Sequence, residues 1–333
     1  MSAVDSAFNA YDESLNLDPT ERRRAQARHH EIRQVLGDAG LIAGSFLQGS
    51  FARKTMLKPL KDVDIVCLIA EQYRDQLMGT GGPRKALEMF HDAVAAKWPE
   101  AGFDEEEPPA GKALRVSFPD CEFTVDLVDA FDTDTELVLI GDRDDDEWKP
   151  STTRKLIRLV ATRNQATDGL FVHQVRILKT LKHQHAEFKD LAGIVFESVA
   201  YSVVLAALPH KEAVTVVLEH AAIACAGPIY DPAQENDLTE EWTPEQRAGI
   251  IRTFKSLAER ARRALELESA DDSDAALDLW HSIFGEEFPA PDIRSPKDVM
   301  SAWGFGSITE TGRPTTTTAG SHRVPPGRGW RAS

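Results

Sequence analysis

The sequence predicts an α+β fold, a mixed sheet with flanking helices followed by a C-terminal helical domain. Three observations predict it. Residues 62–70 and 121–131 read Asp-Val-Asp-Ile-Val-Cys-Leu-Ile-Ala and Cys-Glu-Phe-Thr-Val-Asp-Leu-Val-Asp-Ala-Phe, runs of β-branched and apolar residues that suit strands. Pro83 to Trp98 places Leu87, Phe90, Val94 and Ala95 on one helical face, which a sheet can bury. From Ser151 onward the apolar spacing turns helical throughout, in segments near 151–164, 168–185, 189–208, 211–226 and 243–268.

Taken in order, Asp18-Pro19-Thr20-Glu21 supplies a cap, a first-turn proline and an acid three residues after the cap. It opens a helix that Gly40 ends and that is expected to brace both lobes. Leu41, Ile42, Phe46 and Leu47 form a strand ending at Gln48, and Gly49-Ser50 turns the chain into a short helix near Phe51. The loop Gly79-Thr80-Gly81-Gly82 is not a P-loop, because no Gly-Lys-Ser/Thr follows. Lys112 to Phe118 and Cys121 to Phe131 form a hairpin around Pro119-Asp120. The run Asp144 to Glu147 reads as a solvated acidic loop. The divisions are a helical brace over 1–40, a core over 41–150, a helical domain over 151–305 and a disordered basic tail over 306–333. Within the tail, Thr311 to Ser333 holds four consecutive threonines and four arginines without an acid.

The chemistry lies in the acids. Side chains at i and i+2 share a face of a strand, so Asp62 and Asp64 point one way while Val63 and Ile65 point to the core. If the strand containing Asp126 lies alongside, three carboxylates meet, and they repel unless something cationic sits among them. Hard oxygen donors of this kind suit two Mg²⁺ or Mn²⁺ ions, which take the rest of their shell from water and substrate phosphates. Separated from Asp62 by eleven residues, Gly49 and Ser50 offer a close-approaching backbone, free amides and a hydroxyl to phosphate, with Arg53 one turn on. Arg176 and Lys179 are i, i+3 neighbours on one helix face, placed to bind a triphosphate between the lobes. The pairs His29–His30 and His183–His185 diverge and do not make a metal site.

Gly49-Ser50-Phe51-Ala52-Arg53-Lys54-Thr55, then Asp62-Val63-Asp64-Ile65-Val66, then Val125-Asp126-Leu127-Val128-Asp129-Ala130-Phe131 resembles the signature of the cyclic GMP-AMP synthase and oligoadenylate synthase superfamily. The branch it resembles is the bacterial cGAS/DncV-like nucleotidyltransferases of anti-phage defence. Ile140-Gly141-Asp142-Arg143 and Trp148 are similar to that family's connection out of the catalytic sheet. Arg176-Ile177-Leu178-Lys179 is similar to its triphosphate-holding helix, and Trp280 with Ile283-Phe284-Gly285 and Phe288-Pro289 to its closing element. The sequence departs from the family at Asp129, where proline is frequent, and at Gly193-Ile194, where serine and an aromatic residue are frequent. The resemblance implies a polymerase-beta-like nucleotidyltransferase core that condenses nucleoside triphosphates, ATP among them, into a cyclic di- or trinucleotide with release of pyrophosphate. Asp62, Asp64 and Asp126 are then the catalytic metal ligands, and Gly49, Ser50, Arg53, Arg176 and Lys179 the nucleotide-binding residues. It also implies defence-system regulator or effector proteins as partners, with the C-terminal tail as a place for them to engage. Transfer to a small-molecule, protein or RNA acceptor, linear oligoadenylate synthesis, and a non-catalytic nucleotide-binding module are the other readings the residues allow.

Composition bounds these readings. At 333 residues and 42% hydrophobic content the chain can fill two cores. Three widely spaced cysteines suit a reducing cytoplasm better than a disulfide framework or a zinc ribbon. No charged-then-apolar leader and no membrane-length apolar run stands in the sequence. A net charge of −16 speaks against activation by duplex DNA, whose binding rests on clustered Lys and Arg. Metal-bound nucleotides are deterred less, since the cations cancel much of their charge.

Overall fold

The structure, a computed structural model, describes residues 2–103 and 113–291. Two helices open it, α1 (Ala3–Ser14) and α2 (Pro19–Asp38). Asp18 accepts the Thr20 amide at 2.6 Å and Pro19 takes the first helical position, so α2 starts where its sequence signal stands. Then come β1 (Ile42–Leu47), α3 (Gly49–Arg53), β2 (Asp62–Ile69), α4 (Arg74–Leu77), α5 (Gly82–Lys97), β3 (Gly102–Phe103), β4 (Leu114–Ser117), β5 (Thr124–Asp132), β6 (Val138–Asp142) and β7 (Glu147–Ser151). The rest is helical: α6 (Thr153–Ala166), α7 (Leu170–Lys179), α8 (Leu181–Gln184), α9 (Gly193–Val203), α10 (His210–Ala224), α11 (Pro244–Ser269) and α12 (Ser273–Phe284).

The strands form one mixed sheet. β1 runs antiparallel to β2, and β2 runs parallel to β5. β4 pairs antiparallel with residues 124–127 of β5 and β6 with residues 130–132, one towards each end of that long strand. β3 and β7 extend these branches. Alternation sorts the faces. Val63, Ile65, Cys67, Val125, Leu127 and Phe131 pack with Ala25, Ile32 and Leu36 of α2 and Leu87, Phe90 and Val94 of α5. The opposite face carries a small cluster of Val66, Val128, Ala130, Val138 and Ile140, and beside it the acids. A third, larger core belongs to α6–α12 and takes in Val4, Ala7, Phe8 and Tyr11 of α1.

Two expectations change. α2 does not brace both lobes: its buried residues lie with the sheet, while α1 packs with the helical core, so the two helices divide the task. Ile140 to Trp148 is not a connection out of the sheet but the β6–β7 hairpin, which lengthens it because β5 outruns β4 and leaves an edge to pair. The acidic run is the turn of that hairpin, and Asp146 accepts the Gly81 amide at the start of α5. The tail expected over 306–333, and the end of the helical domain after residue 291, lie outside the described residues.

Candidate active site

Asp64 of β2 and Asp126 of β5 are direct partners across the parallel pair, and Asp62 precedes them beside Thr124. The expected row of acids is therefore real backbone geometry. Asp62 is exposed, Asp64 half-buried and Asp126 buried. Burial, then the carboxylates of Asp62 and Asp126, push the Asp64 carboxyl up to about 6, against the pull of Arg53 and Arg115.

Gly49 explains how the turn meets this row. Its φ is +67°, and a Cβ on it would overlap the Oδ2 of Asp64, so the backbone of α3 lies directly on that carboxylate. The amide of Gln48 donates to the Asp64 carbonyl at 2.9 Å, which locks the turn to β2. Ser50 is the next residue of α3.

On its other side Asp126 meets Arg115, its direct partner in the antiparallel pair with β4. The guanidinium Nε and a terminal nitrogen donate to the two carboxylate oxygens, each at 2.8 Å. Asp64, Asp126 and Arg115 thus form a row across three adjacent strands. Arg115 is the cation that three crowded carboxylates call for. Alternation alone puts it on the face of Asp126; only the register of the β4–β5 pair puts it alongside.

The three basic residues expected at the nucleotide part company. Arg53 donates to Glu197 Oε1 at 2.6 Å, and Thr55 Oγ1 to Glu197 Oε2 at 2.8 Å. Lys179 Nζ donates to the Thr55 carbonyl at 2.9 Å and stands 3.6 Å from Glu197. Its burial lowers the ammonium pKa to about 8, offset in part by Glu197. Arg176, one turn earlier on α7, turns instead to Asn16 at 2.8 Å and Asp12 at 3.3 Å, residues of α1 and the turn after it. The structure therefore brings Arg53 and Lys179 together beneath α3 and sends Arg176 to the N-terminal helix. The reason is the helix geometry: three residues advance the chain by about 300°, enough to aim neighbours of one face at different elements.

Glu197 escaped sequence reading, although an acid inside the apolar run of α9 signals a buried cationic partner. The two departures from the family pattern have local causes. A Cβ at Gly193 would lie 3.2 Å from Lys179 Cε, so glycine leaves room for the lysine stem. Asp129 is buried with Arg143 at 3.5 Å; burial pushes its carboxyl up to about 7 while the guanidinium holds it down. Of the histidines, His29 bonds Ser45 and His185 the Ile283 carbonyl.

Among the described residues no three acidic, histidine or cysteine side chains close around one point. The donor set nevertheless fits a hard divalent cation. Two carboxylates stand abreast on paired strands, a third precedes them, and their mutual repulsion is the charge density such an ion neutralises. Among the described residues no helix is long and apolar enough to cross a membrane.

Residues 1–164 match the family described as Second Messenger Oligonucleotide or Dinucleotide Synthetase domain. A protein of Enterobacter hormaechei subsp. hoffmannii named "Cyclic AMP-AMP-GMP synthase" is 22% identical over 93% of this chain and 97% of its own. One of Salmonella paratyphi B named "Probable cyclic AMP-AMP-GMP nucleotide synthase" is 19% identical over 94% and 98%. The structure of E. coli MS115-1 CdnC with ATP shares the fold, with a TM-score of 0.67 at 14% identity over 86% of this chain and 98% of that one. CdnC has also been solved as a complex with HORMA-deltaN. Fold, site and relatives define an enzyme of the nucleotidyltransferase class. More closely, residues 1–164 carry the synthetase domain, and the chain shares the fold of the bacterial cGAS/DncV-like nucleotidyltransferases.

Proposed function

We propose that the protein condenses nucleoside triphosphates, ATP among them, into a cyclic di- or trinucleotide, as the names of its relatives suggest. The observation that carries this reading is the pairing of Asp64 with Asp126 directly beneath the backbone of Gly49. Asp62, Asp64 and Asp126 would hold two Mg²⁺ or Mn²⁺ ions. When bound, such ions neutralise the triphosphate, favour the attacking alkoxide and stabilise departing pyrophosphate. Gly49 and Ser50 hold the donor phosphates with amides and a hydroxyl. Asp126 accepts the proton of the attacking ribose hydroxyl at a carboxylate oxygen. The hydroxyl oxygen bonds to the α-phosphorus, the bond to the β-phosphate oxygen breaks, and pyrophosphate leaves with the electron pair. Repeating the step within the linear product closes a ring. Arg53 and Lys179, tied to Glu197, fix α3 over the acids. We place this activity in the cytoplasm, in defence signalling, with a regulator or effector protein as partner, a reading that the CdnC:HORMA-deltaN complex supports.

The test is incubation of the purified chain with all four nucleoside triphosphates and Mg²⁺ or Mn²⁺, then phosphatase treatment and mass spectrometry. A phosphatase-resistant cyclic product that Asp62→Ala abolishes is the expected result. Labelled nucleotide appearing instead on a protein, RNA or small acceptor would replace the synthase reading with transfer.

A further inference from the structure

We infer that Arg115 is an exchangeable counter-ion, holding Asp126 in the unloaded protein and yielding it to the divalent cation. The inference rests on the metal-site reading proposed above. Three observations carry it. Both oxygens of Asp126 are engaged by one guanidinium, at 2.8 Å each, so a cation that takes Asp126 as a ligand meets Arg115 already there. The engagement is built by register, since Arg115 and Asp126 are direct cross-strand partners with Asp64 abreast on the far side. The burial is one-sided: the Arg115 side chain is 48% exposed and that of Asp126 10%.

That asymmetry separates this pair from the other ion pairs near it. Arg53 with Glu197 and Arg143 with Asp129 are sealed, with side chains at most 8% exposed on either side, and parting them would strand charges away from water. Arg115 can withdraw into solvent and be hydrated, whereas Asp126 stays where the fold has put it. Without a cation on Asp126, its repulsion with Asp64 would be left largely to the pull of Arg53 on Asp64. Arg115 offsets it at Asp126, and a divalent ion held by these acids would do so with twice the charge. The two cations compete for the same oxygens of Asp126.

Competition of this kind has a measurable sign. Mn²⁺ binding to the full chain, without nucleotide, is measured by titration calorimetry and by the loss of the free Mn²⁺ paramagnetic resonance signal. Arg115→Met keeps the long apolar stem and removes the competitor; its Kd is expected to fall about fivefold below wild type, the upper range for a half-exposed pair. Arg115→Lys, a single point charge without the two-pronged grip, is expected to fall between them and keeps the test open should the methionine variant not fold. In melting curves Arg115→Met is expected below wild type without metal and level with it at saturating Mn²⁺. Saturable binding by wild type with equal or weaker binding by the variants would overturn the exchange and leave the metal site standing. Binding by neither wild type nor Arg115→Met, and no difference from Asp64→Asn, would overturn the metal-site reading and the exchange with it.

Discussion

Asp64 carries the sharpest consequence at the scale of single residues. Its carboxyl sits at about 6 against an ordinary 3.8, so the folded chain holds a proton that the unfolded chain has released. Stability therefore falls as pH rises from about 4 to 6, and above that range ionised Asp64 costs about 3 kcal/mol. Asp64→Asn removes that ionisation. In chelator-treated protein it should melt above wild type at pH 8 and level with it at pH 4, while turnover should drop about a thousandfold or more through loss of the proposed metal ligand. Coincident melting curves at both pH values would contradict the assigned burial and charge coupling. Gly49 gives the companion prediction. Gly49→Ala must move either α3 or the Asp64 carboxylate, since no room exists for a methyl group between them. Turnover should fall roughly a hundredfold, as displacements of about 1 Å in an active site do. Far-UV circular dichroism should stay unchanged, and a normal rate in that variant would show that the turn does not set the position of the acid.

At the scale of elements, α3 is held between two bodies of structure. Its start is bonded to β2 through Gln48 and Asp64, and its end to α9 through Arg53 and Glu197. The Gln48 side chain also accepts from Thr153 at the head of α6. A five-residue helix has little stability of its own, so these anchors decide its place. Glu197 balances two buried cations at once. Glu197→Ala should cost about 3–5 kcal/mol, since removing one partner strands the others in a medium of low polarity. The urea midpoint, with an unchanged slope, measures it; a loss below about 1 kcal/mol would mean that water or a rearranged neighbour satisfies Arg53 and Lys179.

For the molecule as a whole, the synthetase match over residues 1–164 and the folding units have different edges. Phe8 of α1 packs edge-on against Trp280, Phe284 and Phe288 at centroid separations of 4.9, 6.0 and 5.0 Å, so the start of the chain is buried by α12 and the residues after it. A fragment of residues 1–164 would expose Phe8, Tyr11 and the core-facing Leu156 and Val160 of α6. It is expected to aggregate or to bind a hydrophobic dye strongly, and residues 17–151, which keep the sheet with α2 and α5, to melt cooperatively. A well-behaved, dye-silent 1–164 fragment would show that α1 does not depend on the helical core.

Much of this was legible in the chain. The alternation in residues 62–70 and 121–131 predicted the strands and put Asp62 and Asp64 on one face, because a strand repeats every two residues whatever surrounds it. The glycine before Ser50 marked the turn, and the cap at Asp18 marked a helix start, because those signals act over a few residues. Long-range partners were beyond reach. That β5 lies parallel to β2 with Asp126 level with Asp64, that Arg115 grips Asp126, and that Lys179 joins Arg53 at Glu197 while Arg176 leaves for Asp12 all depend on register and packing between segments up to 164 residues apart. The sequence by itself determined which strands carry the acidic groups proposed for the chemistry, since composition and local periodicity are properties of the chain. The tertiary structure decided which of those groups meet, since a charge takes the partner that the packed backbone leaves within about 3 Å.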